Sequence, residues 1–128
     1  MGRCLLECSG NNAVIVDETA DLDLAAPAIV FGAVGTAGQR CTTTRRLIVH
    51  ESRMQELERR LVHSYGQVRI GDPLDPHTLM GPLIDEGARA GFQNAVNELK
   101  QVGGSLLFGG ECIDGPGFFV RPTLARAQ

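Results

Sequence analysis

The 128-residue chain is 43% hydrophobic and 21% charged, which excludes the apolar-poor, highly charged composition of disordered chains and leaves enough apolar surface for one buried core. Its net charge of -3, from 12 basic and 15 acidic residues, contains no long block of one sign, so no nucleic-acid partner is expected. No apolar run nears the ~20 residues of a membrane span, and the start lacks the layout of a secretory leader, so neither a membrane nor export is expected and the cytoplasm is.

Along the chain, Cys4, Leu5, Leu6 and Cys8 form an apolar opening in which both cysteines are expected to pack as small hydrophobes. Ser9-Gly10-Asn11-Asn12 reads as a turn, and Ala13-Val14-Ile15-Val16 as a buried strand. Asp21 or Asp23 can cap a helix over about 26–34, with Pro27 tolerable only in its first turn. Gly35-Thr36-Ala37-Gly38 breaks the periodicity and leaves Cys41 on a turn ahead of a strand over 46–50.

Ser52 with Gln55 forms a capping-box pattern, and Met54, Leu57, Leu61 and Tyr65 follow at helical spacing. Gly71-Asp72-Pro73-Leu74-Asp75-Pro76 forbids regular structure. A further helix is expected from about Glu86 to Val102, with Phe92, Ala95, Val96 and Leu99 on one stripe and Gly103-Gly104 as its stop. Strands follow over 105–108 and 118–120. Strands alternating with amphipathic helices predict an α/β domain over residues 1–128: three layers, a mainly parallel sheet and helices on both faces.

The four cysteines, Cys4, Cys8, Cys41 and Cys112, form no CxxC pair or Cys/His cluster, so free thiols and no metal site are expected. Only Cys41 stands where a reactive group is usually displayed. Arg45-Arg46 and Arg59-Arg60 are the longest basic clusters, and a solvated surface or a strand end accounts for them.

Leu6-Glu7-Cys8-Ser9-Gly10-Asn11-Asn12, with Gly35-Thr36-Ala37-Gly38-Gln39-Arg40-Cys41-Thr42-Thr43-Thr44-Arg45-Arg46 about thirty positions later, resembles two motifs of the aldehyde dehydrogenase superfamily. Gly71-Asp72-Pro73, Met80-Gly81-Pro82-Leu83 and Gly117-Phe118-Phe119-Val120-Arg121-Pro122-Thr123-Leu124 extend the resemblance over essentially the whole chain. The run from Gly35 to Arg46, with the paired Asn11-Asn12, is most similar to the antiquitin branch, which oxidises α-aminoadipic semialdehyde, the open form of piperideine-6-carboxylate, in lysine breakdown.

The resemblance implies roles. Cys41 is the nucleophile that forms a thiohemiacetal and then a thioester, and Glu7 is the base that activates the hydrolytic water. Arg40 is the residue that binds a substrate carboxylate. Gly10, in the loop that ends the cofactor-binding domain (1–12), is a weak candidate for cofactor contact. NAD or NADP is the parent family's hydride acceptor. A free thiol titrates at roughly 8.5, so Cys41 needs a positive group, for which Arg40 and Arg45 are available.

The sequence also departs from that pattern. Cys8-Ser9 replaces the usual Leu-Gly, so a positive φ there would strain Ser9. A glycine-rich phosphate turn is missing, as are the family's upstream asparagine and its downstream Glu-x-Phe-Gly-Pro segment. The chain is therefore expected to be part of a catalytic domain, with no cofactor held by itself. Two alternatives are a cofactor-free thiol esterase using Cys41 and Glu7, and a non-catalytic module that self-associates through uncovered apolar faces.

Overall fold

Side chains branched at Cβ fit a pleated surface, and the run Val14-Ile15-Val16 accordingly forms the body of β1 (Asn12–Val16). The structure, a computed structural model, describes residues 2–127. β1 pairs in parallel with β2 (Thr44–Val49), with Val14 opposite Leu47 and Val16 opposite Val49. Those four side chains share one face, which α1 (Leu22–Val34) and α2 (Glu51–Gly66) cover. Val16, Leu22, Ala26, Ile29, Leu57 and Leu61 form the buried cluster there. The opposite face, with Ala13, Ile15, Arg46 and Ile48, is exposed.

α3 (Glu86–Gln101) precedes an antiparallel pair of β3 (Ser105–Phe108) and β4 (Leu124–Arg126). A second cluster of Val34, Tyr65, Met80 and Val120, flanked by Phe92 and Phe108, joins this half to the end of α1. Tyr65 meets Phe108 edge to face, with ring centroids 6.1 Å apart. A largely apolar cleft of about 850 Å³ separates β2 from β4. Consecutive residues 43–48 and 122–125 border it, so strand edges face the cleft. No described helix is long and apolar enough to cross a membrane.

The α/β class and the parallel pairing agree with the sequence reading, and several local details differ. α1 starts at Leu22 because the Asp21 carboxylate accepts the N–H groups of Asp23 (2.8 Å) and Leu24 (3.4 Å). Pro27 thus lies inside the helix, on its exposed side, where it removes the N–H that would have reached the Asp23 carbonyl. The cap of α2 is His50, whose Nδ1 accepts the Ser52 N–H at 3.3 Å, and not Ser52.

The last strand lies at Leu124–Arg126. Residues 118–120 contribute only the bridge between Val120 and Cys112. Residues 2–11 have no regular structure, and Cys4, Leu5, Leu6 and Cys8 are exposed there instead of packing.

Candidate active site

The segment between α1 and β2 shapes the site. α1 ends at Val34, and three successive residues then take left-handed backbone angles: Thr36 (φ 54), Ala37 (φ 52) and Gly38 (φ 72). Only glycine adopts that region freely, and each L-residue there costs on the order of 1 kcal/mol. Gln39 offsets this by anchoring the segment. Its amide donates to the Thr36 carbonyl (3.1 Å) and the Pro82 carbonyl (3.3 Å), and its Oε1 accepts the Ile84 N–H (2.9 Å). Ala37 packs against the second cluster.

The chain then closes a tight turn over 40–43. The buried Thr43 accepts the Arg40 N–H on its hydroxyl at 3.1 Å, and its own N–H donates to the Arg40 carbonyl at 3.1 Å. Cys41 sits exposed in this turn, where the sequence placed it. Residues 10–12 are bonded directly to the turn. The Asn12 amide donates to the carbonyls of Cys41 (2.5 Å) and Thr43 (3.1 Å). Arg45 donates to the Gly10 carbonyl and, at 3.4 Å, to that of Arg40. Arg46 donates to the Asn11 carbonyl at 2.5 Å.

Gly10 is pressed against this turn: a Cβ added there would lie 3.3 Å from the Cys41 carbonyl oxygen. Ser9 has φ 71, so the departure from glycine does place an L-residue in the left-handed region. Glu7 is exposed and has no hydrogen bond or ion pair among the described residues. Three residues of chain span at most roughly 10 Å, so the Glu7 backbone stays within that distance of Gly10.

Arg40 folds back onto α1. Its guanidinium lies over the Phe31 ring, 5.2 Å from the centroid, and donates to the Phe31 carbonyl at 3.3 Å. Its Nε is buried without a partner. The structure thus brings Gly10 and Cys41 together, leaves Glu7 on the adjoining strand of loop, and folds Arg40 onto α1.

Asn12, Gln39 and Thr43 are site residues that sequence reasoning missed, and Arg45, offered there as a positive group for the Cys41 thiol, bonds the carbonyls of Gly10 and Arg40. The available signals were the amide and guanidinium groups flanking a strand start. The groups with clearly shifted titration lie elsewhere: burial pushes the Tyr65 hydroxyl up to about 12, and hydrogen bonds from Thr19 lower Asp17. Among the described residues no cluster of three or more His, Cys, Asp or Glu could hold a metal ion. Neither Cys41, Glu7 nor Arg40 lines the apolar cleft.

Residues 1–127 match the model of the aldehyde dehydrogenase family. The chain is 52% identical over 125 residues to aldehyde dehydrogenase family 7 member A1 of Malus domestica, covering 98% of this chain and 25% of that one. It is 51% identical over 123 residues to the α-aminoadipic semialdehyde dehydrogenase of Mus musculus, covering 96% and 23%. The chain therefore spans about a quarter of the length of these relatives. The solved structure of betaine aldehyde dehydrogenase from Staphylococcus aureus in complex with NAD+ superposes with a TM-score of 0.89 at 28% identity, over 93% of this chain and 24% of that one.

Proposed function

The chain belongs to the aldehyde dehydrogenase family, and on that premise we propose that Cys41 and Glu7 are the nucleophile and general base of an aldehyde-oxidising site whose parent substrate is α-aminoadipic semialdehyde. The observation that carries this reading is the exposed Cys41 thiol on a turn hydrogen-bonded to the loop that follows Glu7. The identity to the mouse semialdehyde dehydrogenase supports the substrate.

In the proposed chemistry the Cys41 thiolate forms a bond to the carbonyl carbon, and the π pair moves onto oxygen. No protein acceptor takes the Cys41 N–H among the described residues, so it is free to donate to that oxyanion. Glu7 then takes a proton from the water that cleaves the thioester. Arg40 binds the substrate carboxylate after leaving the Phe31 face.

In the parent family a nicotinamide dinucleotide accepts the hydride. Its pyrophosphate requires a helix N-terminus with free N–H groups beside a glycine-rich turn. The three α-helices among the described residues are capped by Asp21, His50 and Asp85, whose side chains already accept leading N–H groups. Two of those caps also place a carboxylate where phosphate would lie. These residues do not fit the cofactor, so no hydride step is assigned to this chain. With an aldehyde it stops at the reversible thiohemiacetal. With an activated ester, whose leaving group departs without a hydride, it proceeds to the thioester.

The test is p-nitrophenyl acetate turnover, together with reduction of NAD or NADP in the presence of the semialdehyde. Loss of ester turnover in Cys41→Ser, and slowed deacylation in Glu7→Gln, are the expected results. Unchanged turnover in Cys41→Ser would overturn the nucleophile, and steady reduction of the dinucleotide would overturn the cofactor reading. A second reading rests on Ile15 and Ile48, adjacent in register and 74% and 56% exposed on one face: two copies associate across that face.

A further inference from the structure

Both peptide planes that flank Cys41 are held by hydrogen bonds, one from within the turn and from Arg45, the other from Asn12. The plane between Arg40 and Cys41 carries the Cys41 N–H, and its carbonyl, that of Arg40, accepts from the Thr43 N–H at 3.1 Å and from Arg45 at 3.4 Å. The plane between Cys41 and Thr42 is held by its own carbonyl, which accepts from the Asn12 amide at 2.5 Å. Because each peptide unit is rigid, bonds to both flanking carbonyls restrain φ and ψ at the Cys41 Cα. The direction of the Cys41 Cα–Cβ bond and that of its N–H are thereby set together, and rotation about χ1 then places the sulfur.

The donors come from places suited to this task. Asn12 begins β1 opposite Thr44, and the register then skips Arg45, since Ala13 pairs with Arg46. That irregularity leaves Arg45 outside the ladder, where its guanidinium reaches both the Gly10 and the Arg40 carbonyls. An extra residue in a ladder commonly re-aims a side chain in this way. The Asn12 amide reaches the Thr43 carbonyl as well, at 3.1 Å, so one NH2 group bonds two carbonyls of the turn.

We propose that Asn12 and Arg45 are positioning residues that clamp the Cys41 turn, orienting its backbone N–H as the oxyanion donor relative to the Cβ that carries its thiolate. This inference rests on the reading of Cys41 as the nucleophile. Neither residue touches the reacting atoms; both act through the backbone on either side of them.

The test separates an oxyanion effect from simple thiol exposure by using two electrophiles on the intact chain. Acylation by p-nitrophenyl acetate forms the sulfur–carbon bond through a tetrahedral oxyanion and expels p-nitrophenolate. Alkylation by iodoacetamide displaces iodide and forms no oxyanion. Mass spectrometry follows Cys41 together with Cys4 and Cys8, exposed thiols that serve as internal references.

Asn12→Asp keeps the shape but turns an oxygen toward two carbonyls, and Arg45→Lys keeps the charge but loses the two-pronged reach. Each is expected to slow Cys41 acylation about tenfold or more while changing its alkylation less than about twofold and leaving Cys4 and Cys8 unaffected. Equal losses with both electrophiles, or no loss in either variant, would overturn the clamp. Should Asn12→Asp fail to fold, the Arg45→Lys ratio decides alone. If Cys41 of the unaltered chain acylates no faster than Cys4 and Cys8, the nucleophile reading itself falls. If it acylates faster and neither variant changes the ratio, only the clamp falls.

Discussion

Gly10→Ala tests whether contact between the two loops sets the reactivity of Cys41. Gly10 is not among the residues with positive φ, so an alanine adds a methyl group without backbone strain. Its Cβ would stand 3.3 Å from the Cys41 carbonyl oxygen and 3.2 Å from the Asn12 Oδ1, inside ordinary contact distance. The Cys41 carbonyl is also gripped by Asn12 at 2.5 Å, so the methyl displaces the clamp as a unit by a few tenths of an ångström. A misplacement of about 1 Å costs roughly a hundredfold in rate, so about 0.3 Å costs about fourfold. Gly10→Val, which needs about 1 Å of clearance, should approach the full hundredfold. The assay is Cys41 acylation by p-nitrophenyl acetate, with thermal unfolding measured beside it. Rates within measurement error of the unaltered chain for both variants, with unchanged melting, would refute the idea that this approach controls the site.

Three further outcomes are expected. Leu57 is 1% exposed within the cluster that binds α1 and α2 to the strands, so Leu57→Ala should cost about 3 kcal/mol in denaturant unfolding; a loss below about 1 kcal/mol would mean that the core collapses around the gap. Burial raises the Tyr65 hydroxyl from 10.0 to about 12, so the unfolded chain releases this proton first and the stability from the neutral hydroxyl is complete below pH 10 and declines toward pH 12. Equilibrium unfolding should show that alkaline slope in the native chain and not in Tyr65→Phe, and an identical slope in both would dismiss it. Light scattering should detect association that rises with concentration and vanishes in the double variant Ile15→Lys, Ile48→Lys; a native chain that stays monomeric would remove the second reading.

Burial repeated at every turn of a helix is written into the spacing of its apolar residues, which is why α2 was legible: Leu57, Leu61 and Tyr65 recur at four-residue spacing and are all buried, whereas on the stripe expected for α3 only Val96 is buried and Ala95 is exposed. The cap of α2 was misread because Ser52 and Gln55 fit a familiar pattern, whereas His50 Nδ1 accepts the same kind of N–H two residues earlier. The start of α1 was misread for a related reason. Pro27 argued for a late start, yet on the exposed side of the helix it deprives only one carbonyl of its partner. The final strand depends on a partner sixteen or more residues away, with Phe108 paired to Leu124 across an irregularity, and neither composition nor alternation over 118–126 reveals that register.

The same division between local and distant causes governs the site. Cys41 was legible because glycines and a helix end place it on a turn, and the φ 71 of Ser9 was legible because the family motif has glycine there. The direction of Arg40 was not, since it is set by Phe31 nine residues earlier on α1. Nor was the clamp, in which Asn12 reaches across 29 positions to the Cys41 carbonyl. Side chains that bond to another segment's backbone leave no periodic trace, because any residue can supply the carbonyl they seek. Only the donor's identity shows in the sequence, and Asn12, the first residue of a strand, looks like an ordinary turn residue until its partner is known. That asymmetry has a physical consequence for this turn: its own sequence, Arg40 to Thr43, specifies the bend, while the carbonyls on either side of the Cys41 Cα are gripped from β1 by Asn12 and from β2 by Arg45.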